Sequence, residues 1–169
     1  ISATELSAAV MDRSLESARQ SVERWESELS MYRPDSTVNQ LMNGQPVTFS
    51  DRGWEALLKA REAEIVTHRA FDITVGPIIR LWKEAERRNR EPDPQEIARA
   101  LSISGFERLQ FDERAKTVGI GNGSGETEDS GPSRILIDVG GIAKGLFAEW
   151  ICRDILAGLS GSEAADLRK

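Results

Sequence analysis

The sequence contains a single cysteine, Cys152, and a single histidine, His68, among 169 residues. One cysteine excludes an internal disulfide and a cysteine-based zinc site. One histidine excludes a multi-histidine metal site, although a Ser-His-Asp triad stays open. Cys152 follows Trp150 and Ile151 in a helical pattern, which predicts an inert thiol in the core. His68, beside Arg69, is typical of the C-terminal end of a helix, where cations are favoured.

Long apolar runs are also missing, and positive charge is scarce. No run of about 18 apolar residues occurs, so the sequence predicts no membrane-spanning helix. With 22 basic and 28 acidic residues the net charge is −6. This charge argues against non-specific binding to nucleic acid or anionic membranes, because phosphates are repelled on average, although a local basic patch can override the mean.

The length and apolar content predict one domain over residues 1–169. At 39% apolar residues the chain can form a core of ordinary size. No signal peptide is visible, but the chain begins at Ile1 rather than Met, so we expect an upstream segment to have been removed or left out.

Apolar spacing and capping residues predict several helices. From Leu15 to Leu29, apolar residues recur at alternating spacings of three and four positions. This spacing predicts a first helix over about residues 4–31. Ser50 or Asp51 is typical of the N-cap of a second helix, and Asp93-Pro94 of the start of a third that ends at Leu101. Between the first two helices, turn residues around Pro34 and Asn43-Gly44 predict irregular chain.

The second half of the chain carries strand signals as well. Residues 107–112 and 117–122 predict a β pair joined by a polar turn at 113–116, and the Gly/Ser-rich stretch 121–133 predicts a flexible loop. Residues 134–138, RILID, predict a buried strand that precedes a fourth helix. Its inward-facing residues are predicted to be Leu146, Phe147, Trp150, Ile151, Ile155 and Leu156. Helices and strands together predict the α+β class.

Two stretches combine structural and chemical signals. In SMYRPDS, over residues 30–36, Tyr32 can stack on a planar ring while its hydroxyl stays hydrated, but the stretch also fits a helix stop followed by a turn. In AFDITVGP, over residues 70–77, Asp72 lies in an apolar run where an unpaired carboxylate is costly. We therefore expect Asp72 to be hydrogen-bonded, to backbone N–H groups, to a ligand or to a metal-bound water. Gly76-Pro77 predicts a turn between a short strand or loop and a helical turn.

A third stretch, IDVGGIAKG, spans residues 137–145. Asp138 ends an apolar run, Gly140 and Gly141 allow close approach to the backbone, and a helix begins directly after them. Lys144 adds positive charge to the first turn of that helix. The pattern fits an anion or diphosphate site at a helix N-terminus, and it fits a packing turn equally well.

Taken together and in this order, the three stretches resemble the FAD:protein FMN transferases, the ApbE family, formerly described as thiamine-biosynthesis lipoproteins. The resemblance implies a T-fold-like domain with helices packed on a mainly antiparallel or mixed sheet. It also implies a magnesium-dependent enzyme that cleaves FAD, releases AMP and attaches FMN to a threonine or serine of a target protein. Such targets include subunits of membrane redox complexes, so the family implies a periplasmic location, at the outer face of the cytoplasmic membrane, for an enzyme that can be a lipoprotein.

The resemblance also implies roles for particular residues. Tyr32, Ala70, Phe71, Asp72 and Asp138 are expected to bind FAD, and the carbonyl of Gly141 is expected to be a magnesium ligand. No catalytic residue can be assigned from it.

The resemblance does not extend to the whole family pattern. The family's early strand, with a Met-Gly-Thr-like segment, and its C-terminal half, with a late Asp/Thr pair at the metal, have no counterpart here. Two alternatives to a transferase therefore stay open: a flavin-binding module without a transfer step, and an interaction domain whose first helix packs on a partner.

Overall fold

The computed structural model describes residues 8–121 and 135–158, and within these ranges the chain forms six α-helices, one 3₁₀-helix and three short strands. The helices are α1 (Ala8–Leu29), α2 (Thr37–Met42), α3 (Asp51–Val66), α4 (Gly76–Arg87), α5 (Pro94–Ser102) and α6 (Gly140–Gly158), and the 3₁₀-helix is Phe106–Arg108. The strands are β1 (Val47–Thr48), β2 (Leu109–Asp112) and β3 (Thr117–Ile120). No helix of the described ranges combines the length and the apolar content that crossing a bilayer requires.

The strands form one antiparallel sheet in the order β1-β3-β2. The predicted β pair is confirmed, with Leu109 opposite Ile120 and Asp112 opposite Thr117. The Asp112 carboxylate shapes the turn between them by accepting hydrogen bonds from the N–H groups of Arg114 and Ala115, both at 3.0 Å. The predicted loop at 121–133 lies outside the described residues except for Gly121.

Two predicted helix starts are confirmed by their caps. Ser50 Oγ accepts a hydrogen bond from Gly53 N at 3.2 Å at the start of α3. Asp93 and Glu96 form a reciprocal capping box at the start of α5. His68 directly follows the C-cap of α3 and is exposed, as expected for a residue at a helix end.

The irregular chain expected between the first two helices is in fact interrupted by α2, so that prediction was wrong. Ser36 caps this helix by accepting a hydrogen bond from Asn39 N at 3.2 Å. Val38 and Leu41 are fully buried, so contacts with the core stabilise α2. A helix of six residues is too short to produce a readable periodic pattern.

Helices α1 and α6 pack along each other through aromatic side chains. The ring of Trp25 lies 5.6 Å from that of Phe147 and 5.0 Å from that of Trp150. Leu15 is exposed, so the predicted apolar stripe of α1 is not buried along its whole length. Cys152 is also exposed, and the prediction of a core thiol was wrong. It lies two residues, about 200° around the helix, from buried Trp150.

The predicted strand before α6 is extended chain with little pairing. Ile135, Ile137 and Val139 are buried in alternation, but from Ile135 onward, where the structure describes the segment, only Leu136 forms a bridge, a parallel one to Val75. Gly76 begins α4, which is a full helix rather than the single turn expected. A Cβ on Gly76 would lie 2.5 Å from Leu136 Cβ, so this crossing of two chain segments requires glycine.

Candidate functional site

A cleft of about 390 Å³ lies between the end of α1, the following turn and the start of α6. We call it the Tyr32 cleft. Its lining residues are Val22, Trp25, Glu26, Leu29, Ser30, Met31, Tyr32, Asp138, Val139, Gly140, Ala143, Lys144 and Phe147. The first and third sequence motifs therefore meet in one place, although more than a hundred residues separate them.

Asp138 lies at the base of α6 and fixes its first turn. Its backbone N–H donates to Ile73 O at 2.7 Å, and its Oδ1 accepts from Gly140 N at 2.8 Å. Among the described residues, Oδ2 of Asp138 has no hydrogen-bond partner. One carboxylate oxygen thus holds the helix terminus, and the other is available to a ligand in the cleft.

The two glycines after Asp138 have different neighbours. A Cβ on Gly140 would lie 2.9 Å from Asp138 Oδ1, while a Cβ on Gly141 would lie 3.0 Å from the ring of Phe71. Gly141 is therefore explained by packing, whereas Gly140 also lines the cleft. An anion or diphosphate site at these glycines stays a prediction.

A lysine and a helix N-terminus lie together at the start of α6. The N-terminus of a helix carries a partial positive charge. In α6, Gly140 N already donates to Asp138 Oδ1, and the N–H groups of Ile142 and Ala143 donate to Val139 O. Lys144, one turn into α6, is exposed on the cleft and makes no ion pair with any other described residue. Glu26 on α1 is an opposing negative charge on the cleft wall. The cleft therefore combines a lysine and a helix N-terminus with two carboxylates, those of Glu26 and Asp138.

Aromatic side chains form the other walls. The Tyr32 side chain is exposed at the mouth of the cleft, with 82% of its surface accessible. Trp25 and Phe147 lie in contact with each other deeper in the cleft. Sequence reasoning assigned both to packing and missed them as site residues, because only the pairing of α1 with α6 brings them to the cleft.

The second motif lies beside the cleft rather than in its lining. Asp72 Oδ1 accepts hydrogen bonds from Thr74 N and Thr74 Oγ1, both at 2.7 Å, and its Oδ2 accepts from Phe106 N at 3.2 Å. The expectation that Asp72 is hydrogen-bonded is confirmed, with backbone N–H groups among the donors. Phe71 is half-buried against Gly141, and Ala70 is exposed. A role of Ala70, Phe71 or Asp72 in binding FAD stays a prediction.

The described residues do not by themselves fit a magnesium ion. No group of three or more His, Cys, Asp or Glu side chains in the described ranges is arranged to hold a metal. Gly141 is the second residue of α6, where a carbonyl oxygen normally accepts the N–H four residues further along the helix. Its assignment as a ligand stays a prediction that needs further donors.

A larger cleft of about 660 Å³ lies on the other side of Trp25 and contains none of the predicted site residues. Arg52, on its wall, donates two hydrogen bonds to Asp154 of α6. These bonds hold the pKa of Asp154 at about 2, and a further hydrogen bond from Ser21 acts in the same direction. Glu28 in turn accepts hydrogen bonds from the backbone and side chain of Ser50. The side chain of Glu28 thus links α1 to the start of α3, and that of Arg52 links α3 to α6.

Similar proteins are found among known sequences and among solved structures. FAD:protein FMN transferase of Klebsiella pneumoniae is 28% identical over 140 residues, which cover 81% of this chain and 41% of that protein. The flavin transferase ApbE of Vibrio cholerae, as an H257G mutant, superposes with a TM-score of 0.73 at 19% identity, covering 93% of this chain and 51% of that one. The ApbE protein of Thermotoga maritima gives 0.68 at 25% identity, over 86% and 45% of the two chains.

The two solved structures have the fold described above. This chain spans about half the length, or less, of all three proteins. The pattern of the ApbE family matches residues 2–160 of this chain. The chain therefore belongs to the ApbE family.

Proposed function

We propose that this chain binds FAD in the Tyr32 cleft and acts in FAD:protein FMN transfer. The observation that supports the proposal is the meeting of Tyr32, Asp138 and the start of α6 with Lys144 in one cleft. Its volume of about 390 Å³ lies within the range of small-molecule pockets, roughly 300–1,000 Å³.

Each part of the cleft has a role in this proposal. The N-terminus of α6 and Lys144 attract the diphosphate of FAD. The exposed ring of Tyr32 stacks on a planar part of the dinucleotide. Oδ2 of Asp138 accepts a hydrogen bond from a hydroxyl group of the ligand, while Oδ1 remains bound to Gly140 N.

In the proposed reaction, the hydroxyl oxygen of a threonine or serine on an acceptor protein attacks the phosphorus of the FMN half of FAD. A phosphoester bond to FMN forms, the bond to the AMP phosphate breaks, and AMP leaves while the hydroxyl gives its proton to a base. Such a reaction depends mainly on positioning and on neutralising the phosphate charge. Lys144 and the helix terminus supply part of that neutralisation from the described residues.

Magnesium dependence is part of the proposal, with the Gly141 carbonyl as one ligand. The remaining ligands would have to come from outside the described residues. Removing divalent cations with a chelator is expected to abolish transfer, and added Mg²⁺ is expected to restore it.

The first experiment combines binding with product analysis. The protein is titrated with FAD, and is then incubated with FAD, Mg²⁺ and an acceptor peptide that has a threonine near an aspartate. A mass gain equal to FMN on the peptide, with AMP released, supports the transferase. Asp138→Ala is expected to reduce both signals, and Asp12→Asn, which changes an exposed acidic residue of α1 outside the cleft lining, serves as the matched control.

The same cleft also supports an alternative, a flavin-binding module without transfer, because binding requires only the cleft. FAD binding that does not depend on Mg²⁺, with no mass gain on any peptide, would favour it. No FAD binding at all would contradict both functions.

We further propose that the acceptor is a subunit of a membrane redox complex and that the protein works at the outer face of the cytoplasmic membrane. The proposal follows from the family resemblance of the sequence alone. Cell fractionation with an antibody against this chain tests it, and recovery in the cytoplasmic fraction would contradict it.

A further inference from the structure

A buried side chain of α2 donates hydrogen bonds to the turn that contains Tyr32. Asn39 is only 9% exposed, and its Nδ2 lies 2.9 Å from Met31 O and 2.8 Å from Arg33 O. These two carbonyls belong to the residues immediately before and after Tyr32. Sequence reasoning gave no role to Asn39.

The Asn39 amide has as many N–H donors as it has short contacts to carbonyl oxygens. A side-chain amide nitrogen carries two hydrogens, and carbonyl oxygens can only accept, so the two short contacts use both donors. Longer contacts of 3.3 Å to Ser30 O and Ser36 Oγ complete its surroundings. The orientation of the amide is therefore set by its partners.

Ser36 fixes the start of the same turn. Its Oγ donates to Ser30 O at 2.7 Å and accepts from Asn39 N at 3.2 Å. The side chain of Tyr32, at 82% exposed, contributes little to its own placement. The placement of Tyr32 at the cleft thus depends on its backbone: Tyr32 N donates to Ser30 Oγ at 3.3 Å, and the carbonyls on both sides of Tyr32 accept hydrogen bonds from Asn39.

We propose that Asn39 is a positioning residue for FAD binding, which holds the Tyr32 backbone so that the ring forms the outer wall of the cleft. The inference rests on the proposed function, in which Tyr32 contacts the flavin nucleotide. Asn39 does not line the cleft, so it acts through Tyr32 and not by touching the ligand.

A double-mutant cycle tests this role. The chain and its variants Tyr32→Ala, Asn39→Ala and the double variant are titrated with FAD, and flavin fluorescence is recorded. We expect each single variant to weaken FAD binding about tenfold and to lose part of the fluorescence quenching that a stacked tyrosine causes. The double variant is expected to bind within about twofold of Tyr32→Ala, because Asn39 has nothing left to position.

Two further variants keep the test specific. Gln40, the exposed neighbour of Asn39 on α2, donates a hydrogen bond to Asp35 O in the same turn. Gln40→Ala removes this bond and is expected to change FAD affinity less than twofold. Asn39→Ser keeps a single hydrogen-bond donor and is expected to lose FAD affinity to an intermediate extent. If circular dichroism shows that Asn39→Ala does not fold, Asn39→Ser takes its place.

Independent, multiplying losses in the double variant would overturn the inference. So would an Asn39 variant that is less stable but binds and quenches FAD normally, since that is the behaviour of a purely structural clamp. If the unmodified chain does not bind FAD at all, the proposed function itself fails and the inference fails with it.

Discussion

Asp72 and Asp138 each lie in an apolar stretch of the chain, but their carboxylates are used differently. Asp72 directs both oxygens to donors within the protein, at Thr74 and Phe106. Asp138 directs one oxygen to Gly140 N, and its other oxygen has no partner among the described residues. A fully bonded carboxylate maintains the fold, whereas a half-bonded one beside a cleft can serve a ligand. The family resemblance implied FAD binding for both.

The largest expected effect concerns the fold. Asp72→Ala removes three hydrogen bonds and leaves buried Thr74 without two of them, which should lower the free energy of unfolding by about 3 kcal/mol. Asp138→Ala removes one cap and should cost about 1 kcal/mol. Urea unfolding of both variants measures the difference, and equal losses would break the comparison.

Asp72 and Asp138 belong to segments that cross at Gly76, and this crossing can be tested separately. In Gly76→Ala the new Cβ would lie 2.5 Å from Leu136 Cβ, so we expect a loss of about 2 kcal/mol from overpacking. Gly145→Ala, on α6, is the matched control, because its Cβ meets nothing within 4 Å. The control should be neutral or gain up to about 1 kcal/mol in thermal or urea unfolding.

For FAD affinity, unlike for stability, the substitution of Asp138 should have the larger effect and that of Asp72 the smaller. Asp138→Ala is expected to weaken FAD binding about tenfold, equivalent to roughly 1.4 kcal/mol, because one charge-assisted hydrogen bond is lost. Asp72→Ala, measured at a temperature where it remains folded, is expected to change the affinity less than twofold. Fluorescence titration gives both values, and a larger loss for Asp72→Ala would instead place that carboxylate in contact with FAD.

Asp154 supplies a third type of aspartate, one paired with a cation. Arg52 lowers the pKa of Asp154 from 3.8 to about 2 in the folded protein. A lowered pKa stabilises the fold above the unfolded value, and this contribution is lost as the pH falls from about 4 through 2. The stability difference between the unmodified chain and Asp154→Asn should therefore shrink by about 1 kcal/mol between pH 6 and pH 3. A difference that does not depend on pH would show that the ion pair adds nothing beyond its neutral hydrogen bonds.

Local signals were the most reliable part of the sequence interpretation. Ser50, Asp93 and the β2–β3 pair were predicted correctly because caps and turns depend on neighbouring residues. The six-residue α2 was missed, since its stability comes from burial of Val38 and Leu41 against distant parts of the core.

The cleft was only partly predictable for a related reason. The sequence singled out Tyr32 in one stretch and Asp138 with Lys144 in another, but Trp25 and Phe147 line the cleft only because α1 packs on α6. Asn39 looked like an ordinary polar residue, because nothing in the sequence indicates that its amide lies under the Tyr32 turn.

The bond between Asp138 N and Ile73 O and the bridge between Val75 and Leu136 join segments that are far apart in the chain. Contacts of such long range form slowly, because a large loop must close before they contribute. The helices can therefore form early during refolding, while the base of the cleft is completed late. A refolding chain should consequently acquire the proposed flavin binding in its slowest kinetic phase, after most of its helical signal has returned.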